Sequence, residues 1–245
     1  MAGTLLLVGA TSDIGHAVAA RYAEAGWRIL LAARDPERAQ RNADDLAARY
    51  RAEVALLRLD ILATGDFARW LDGLPALPDT VVCAVGELGD QARAEGDLAH
   101  AEGVMRTNFL GPSLLLGLVA ERFAARGSGA IVGISSVAGD RGRGSNYVYG
   151  AGKAGFTAFL SGLRNRLAKS GVRVVTVKPG FVRTRMTRGL RLPPLLTAEP
   201  SEVGRAVYAA AEGRGGDVVY VRKVWRLVMA VIGAIPEPVF KRLSL

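Results

Sequence analysis

Short apolar runs alternate with helix-length stretches along nearly the whole of this 245-residue chain, and that alternation leaves few folds open. A run of five or six apolar residues suits a strand buried on both faces. A helix between two such runs brings the chain back so that the strands pair in parallel. Strands are expected at 4–8, 28–32, 54–58, 80–84, 130–135, 173–178 and 217–220, with helices at 14–24, 36–49, 64–70, 99–126, 148–167 and 200–212. The fold class is therefore α/β, a doubly wound, seven-stranded parallel sheet with helices on both faces. No repeat, linker or low-complexity segment breaks the series, so 1–222 read as one domain, followed by an apolar and basic tail at 223–245.

Composition narrows the setting. Cys83 is the single cysteine, which excludes an internal disulfide and allows a reducing compartment. Residues 1–4 lead straight into an apolar strand with no basic leader or cleavage site, so a cytoplasmic protein is expected, peripheral on the inner membrane face if it meets lipid. No uninterrupted apolar run of about 18 residues marks a spanning helix. The net charge of +9 suits nucleic acid, an anionic membrane surface or a phosphorylated ligand. No zinc-finger spacing or RNA-binding signature accompanies it, so nucleic acid is not expected. His16 and His100 have no metal-ligand spacing, and no metal is expected.

The stretch Leu5-Leu6-Leu7-Val8-Gly9-Ala10-Thr11-Ser12-Asp13-Ile14-Gly15 reads as strand, turn, helix. Glycine lets the backbone turn tightly and approach a pyrophosphate, and a helix N-terminus presents free N–H groups to it. The domain is thus Rossmann-type, with a dinucleotide on this turn. Asp60, ending the third strand, is placed to accept a hydrogen bond from an adenine amino group. Arg34 follows the second strand, where a carboxylate would hold a ribose 2′-hydroxyl; an arginine there suits a 2′-phosphate and favours NADP(H) over NAD(H).

Tyr149 and Lys153 lie four residues apart on the helix expected at 148–167, so a phenol and an ammonium share one face. A cation there favours the phenolate, easing the proton exchange that a reductase needs when hydride reaches a carbonyl carbon. Ser136 stands 13 residues upstream of Tyr149, at the end of the fifth strand. Tyr147 is the rival acid, but Lys153 is six residues from it and off its helical face. Ser135 is the rival hydroxyl, and alternation at a strand end turns it away from Ser136.

With those residues in order, the chain resembles the short-chain dehydrogenase/reductase family across nearly its full length. The resemblance implies a catalytic tetrad of Asn108, Ser136, Tyr149 and Lys153. It implies cofactor contacts from Gly9, Thr11, Ser12, Asp13, Ile14, Gly15, Arg34, Asp60, Gly86, Tyr149, Lys153, Pro179, Gly180, Val182 and Thr184. In that scheme Lys153 holds the nicotinamide ribose and, with the positive nicotinamide ring of the oxidised cofactor, lowers the Tyr149 pKa. Tyr149 protonates the substrate oxygen, Ser136 orients it, and Asn108 holds a water that relays protons to Lys153. Three departures stand out. Asp13 occupies a position that is usually glycine, and is expected to turn away and cap the helix. Cys83-Ala84-Val85-Gly86 replaces the usual Asn-Asn-Ala-Gly, and Ser12 stands where NADP-dependent members often carry a basic residue.

Within the family, Gly9-Ala10-Thr11-Ser12-Asp13-Ile14-Gly15, Val85-Gly86-Glu87-Leu88-Gly89-Asp90 and the run 181–187 are similar to reductases of polyprenyl-phosphate-linked 2-keto-pentofuranoses. Such an enzyme makes the arabinose form and works with a flavin oxidase in an epimerisation. Arg183, Arg185, Arg188 and Arg191 follow Pro179-Gly180, in the family's lid region; they suit a lipid phosphate or diphosphate, or form a solvated basic face. The apolar run 223–235, bracketed by cations, either lies in a membrane interface or packs on the core or a second subunit, since this family forms homodimers and homotetramers. A soluble reductase of a keto-acyl or small ketone and a non-catalytic dinucleotide sensor are the alternatives.

Overall fold

The computed structural model describes residues 3–189 and 192–243. Its strands are β1 (Thr4–Val8), β2 (Arg28–Ala33), β3 (Val54–Arg58), β4 (Thr80–Cys83), β5 (Gly129–Ile134), β6 (Val172–Pro179), β7 (Phe181–Val182), β8 (Thr197–Ala198) and β9 (Val218–Val221). Seven form one parallel sheet in the order β3-β2-β1-β4-β5-β6-β9, while β7 and β8 pair in a separate small ribbon. The helices are α1 (Asp13–Glu24), α2 (Gln40–Tyr50), α3 (Phe67–Asp72), α4 (Gln91–Ala94), α5 (Leu98–Met105), α6 (Gly111–Arg126), α7 (Tyr147–Leu167), α8 (Pro200–Ala211), α9 (Val224–Ala234) and α10 (Glu237–Phe240).

Period-two alternation sends neighbouring strand residues into two separate cores. Leu5, Leu7, Ile29, Leu31, Val82 and Val132 pack under α1, α2 and α8, with Val18, Tyr22, Leu46 and Val207. Leu6, Leu30, Val81, Ile131 and Val174 pack under α6 and α7, with Leu115, Val119, Phe123, Phe156 and Leu160. Val8 pairs with both Ala32 and Cys83, so the carboxyl ends of β2, β1 and β4 open side by side. Strand order reverses between β1 and β4, the place where open α/β sheets form their ligand crevice.

One expected helix differs, and the tail, left open between a membrane interface and packing, forms a helix of its own. The helix expected at 99–126 is broken by a π-turn over Arg106–Leu110, which places Asn108 fully inside the fold. By length and composition the helical run Leu98–Arg126 is long and apolar enough to cross a membrane, but half of its apolar window is buried within the fold. The tail forms α9, whose Trp225 and Met229 are buried with Val137 against Phe181, Leu196 and Tyr220. The Trp225 indole donates to the Leu196 carbonyl at 2.9 Å. Arg141 donates to the carbonyls of Ile232 (2.7 Å) and Ile235 (2.6 Å), capping the C-terminal end of α9 with its charge. The other face of the tail is open: Leu227, Val231 and Val239 are exposed.

Candidate active site

The turn after β1 is fixed from several sides. Gly9 and Ala10 both donate to the Ala32 carbonyl, at 3.0 and 3.1 Å, which ties the turn to β2. Gly9 has φ +97° and its missing Cβ would stand 2.9 Å from the backbone of Ala84 and Val85, so only glycine serves there. Asn42, on α2, donates to the Ala10 carbonyl at 2.8 Å, a buttress that no local sequence signal announces. Ser12 caps α1 by accepting from Gly15 N–H at 2.8 Å. The expected cap, Asp13, does not play that part. Its carboxylate reaches outward and accepts from the Arg185 backbone N–H at 2.7 Å and from Arg185 Nε at 2.9 Å. Ser12 takes the cap because it is the extended residue immediately before the helix, whereas Asp13 is already its first helical residue, so the carboxylate turns to the distant arginine.

Around that turn the other expected contacts gather. Arg34 is exposed just beyond β2 and pairs with no carboxylate among the described residues. Asp60 accepts from Leu62 N–H at 2.9 Å with one oxygen, leaving the second available. A Cβ on Gly86 would sit 3.1 Å from both Asn108 Oδ1 and Lys153 Nζ, so a larger residue at the floor of the crevice would press on both side chains. Pro179 ends β6, Gly180 follows it, and a side chain on Gly180 would run into the Trp225 indole. Val182 is buried in β7, and Thr184 N–H donates to Thr187 Oγ1 at 3.1 Å, closing the short turn that begins the lid. Free first-turn N–H groups at Asp13 and Ile14, a glycine cradle and a free arginine at the end of β2 fit a nicotinamide dinucleotide.

Lys153 and Tyr149 face the same crevice from α7. Lys153 is buried at 3% exposure, with Nζ donating to the Ile134 carbonyl at 3.0 Å and the Val85 carbonyl at 3.4 Å. Burial pushes its pKa down to about 8, against a smaller opposing influence from Cys83. Nζ stands 5.8 Å from the Tyr149 ring centroid. The Tyr149 phenol is held above its ordinary value by burial, with the Ser136 hydroxyl and the Arg143 guanidinium pulling the other way. The expectation that Lys153 lowers the Tyr149 pKa is made for the positive ring of the oxidised cofactor acting with it; in the chain alone burial dominates at the phenol. The ammonium donates to two carbonyls, and a second cation, Arg143, bears on the phenol from the loop before α7. Arg143 was not anticipated; it lies between Gly142 and Gly144, where no periodicity marks a role.

Ser136 and Asn108 complete the group. Ser136 Oγ accepts from Ala138 N–H at 3.1 Å and interacts with Tyr149. Ser135 Oγ instead meets the Lys153 carbonyl at 3.0 Å and Thr157 Oγ1 at 2.6 Å, anchoring α7 to β5. Tyr147 is exposed at the first residue of α7. Asn108 Nδ2 donates to the carbonyls of Glu87 (2.7 Å) and Val104 (2.9 Å), so its amide holds the loop after β4 onto the π-turn. A neutral phenol beside a hydroxyl, with a buried ammonium beneath, can deliver a proton to an oxygen placed between them.

Residues 3–194 match the short chain dehydrogenase family profile. This chain belongs to the short-chain dehydrogenase family. The dehydrogenase is 37% identical over 248 residues to an uncharacterised oxidoreductase of Mycobacterium tuberculosis, covering 99% of this chain and 97% of that one. It is 35% identical over 192 residues to sulfoacetaldehyde reductase 2 of Chromohalobacter salexigens, covering 76% and 75% respectively. A short-chain dehydrogenase from Sphingobium yanoikuyae, solved in complex with NADPH, superposes with a TM-score of 0.80 at 26% identity, covering 96% of each chain. The family makes the chain an oxidoreductase of the nicotinamide dinucleotide type.

Among the described residues, the expected phosphate-binding arginines differ in their surroundings. Arg183 Nε pairs with Glu199 at 2.8 Å, and Arg185 pairs with Asp13. Arg188 lines a cleft of about 460 Å³ with Asp13, Thr184, Thr187 and Leu192. Arg191 lies outside the described residues.

Proposed function

We propose that this chain is an NADPH-dependent reductase that converts a ketone into a secondary alcohol, with Ser136, Tyr149 and Lys153 acting on the substrate and cofactor and Asn108 supporting them. The observation that carries this is the meeting of the Tyr149 phenol, the Ser136 hydroxyl and the buried Lys153 ammonium at the sheet's carboxyl edge. The dinucleotide supplies hydride when bound. Tyr149 holds the proton for the substrate oxygen, Ser136 orients that oxygen by hydrogen bonding, and Lys153 presents its charge beneath the ribose side of the crevice. Free Arg34 supports NADP(H), as does the Sphingobium yanoikuyae relative solved with NADPH.

For the substrate we propose a polyprenyl-phosphate-linked 2-keto-pentofuranose, reduced at the cytoplasmic membrane face in partnership with a flavin oxidase. Support comes from the motif resemblance, from Arg188 at the mouth of the lid cleft, and from the exposed Leu227, Val231 and Val239 flanked by Lys223, Arg226, Lys241 and Arg242. A second reading, a soluble reductase of a small anionic carbonyl compound, is favoured by the internal pairing of Arg183 and Arg185 and by the sulfoacetaldehyde reductase relative. The test offers both substrates with NADPH and follows the nicotinamide absorbance and the alcohol formed. Turnover of the lipid-linked keto-sugar supports the first reading and turnover of sulfoacetaldehyde alone the second. Tyr149→Phe is expected to lower kcat roughly 10³-fold. A variant as active as wild type would remove the tyrosine from the chemistry.

A further inference from the structure

The lid and the dinucleotide turn, 172 residues apart, are joined through one side chain. Arg185 gives Asp13 two hydrogen bonds, from its backbone N–H at 2.7 Å and Nε at 2.9 Å, and its Nη2 also donates to the Thr11 carbonyl. Asp13 is the first residue of α1, inside the turn whose free N–H groups suit a diphosphate. Alone, a carboxylate there suits the helix dipole but opposes a diphosphate. The lid turn Thr184–Thr187 is otherwise closed on itself, through Thr184 N–H to Thr187 Oγ1 (3.1 Å) and Thr187 Oγ1 to the Val182 carbonyl (2.7 Å). Asp13 and Arg185 both line the cleft between lid and turn.

We propose that Asp13 and Arg185 form a tie that holds the lid against the dinucleotide turn, and that Arg185 is a positioning residue whose charge makes an acidic turn compatible with a diphosphate. The tie places Thr184, immediately before Arg185, over the cofactor crevice. Its cost and benefit are linked: the carboxylate that anchors the lid is tolerated because the lid brings its own cation. This rests on the nicotinamide dinucleotide reading above.

A double-mutant cycle on the full chain tests it, with NADPH affinity measured by calorimetry and amide exchange followed across 181–189. Arg185→Ala removes the guanidinium counter-charge, leaves Asp13 only the backbone N–H, and is expected to weaken NADPH roughly tenfold at low salt, less at high salt. Asp13→Gly is expected to bind NADPH as tightly as wild type or more tightly, because the freed arginine faces the diphosphate. Asp13→Gly/Arg185→Ala is expected to recover to within about threefold of wild type, the non-additivity that marks a direct pair. All three variants should exchange the 181–189 amides faster than wild type with no cofactor present. Unchanged affinity in Arg185→Ala, a loss that Asp13→Gly does not relieve, or unchanged lid exchange would each overturn the tie. Wild-type protein that binds neither NADPH nor NADH would overturn the dinucleotide reading itself, a result distinct from these because they leave wild-type binding intact.

Discussion

Lys153 keeps a charge that its surroundings resist, and that resistance is measurable. In the unfolded chain a lysine holds its proton to about 10.5, while burial brings Lys153 down to about 8 in the fold. Between those values the unfolded state binds more protons, so stability rises with pH across that window; below pH 8 the penalty is constant, roughly 3 kcal/mol. Lys153→Met is expected to remove the titration. The gap in unfolding free energy between variant and wild type should therefore change steadily from pH 8 to 10.5 and stay level below it; a gap level throughout would contradict the buried-charge assignment. The Tyr149–Lys153 relation was legible in the sequence because both residues sit on one helix, where spacing is geometry. Arg143 beside Tyr149 and Arg185 on Asp13 were not. Each joins a loop residue to another element, and nothing in a local pattern encodes that distance.

At the scale of elements, α9 is held by a glycine as much as by its own apolar face. A methyl on Gly180 would fall 1.9 Å from the Trp225 indole. Gly180→Ala is thus expected to lever α9 off the sheet edge and cost about 1–3 kcal/mol. Trp225→Ala, which leaves a cavity, is expected to cost about 3–5 kcal/mol. Chemical denaturation checks both, and a Gly180→Ala protein as stable as wild type would show that the helix can shift freely. The strands were readable because buried parallel strands leave apolar runs of fixed length. The π-turn at Arg106–Leu110 was not, since one extra residue in a turn scarcely alters a 3.6-residue pattern over 29 residues. The docking side of α9 was equally hidden: its sequence is apolar nearly all round, so periodicity could not say which face meets Phe181 and Leu196.

For the molecule as a whole, the helical run from the end of α5 through the π-turn into α6 leaves Met105, Phe109, Leu110 and Leu114 exposed at 36–46%. Leu114 also lines a groove of about 750 Å³ with Phe67, Leu118 and Phe159. A second copy of the chain is the occupant we expect for this surface, so wild type should sediment as a homodimer or larger. Leu114→Arg is expected to shift it to monomer in light scattering, with a melting temperature that then depends less on concentration. A monomeric wild type would sink that assembly. The contact between Trp225 and Gly180 has a further use. Trp27 is buried beside Tyr22 and Trp70 donates its indole N–H to the Arg58 carbonyl, so neither lies against Gly180. With both replaced by phenylalanine, the remaining indole becomes an internal lamp resting on the loop after β6. Its emission overlaps the absorption of a reduced nicotinamide, and quenching would report a cofactor's arrival in real time, without a label and without a substrate.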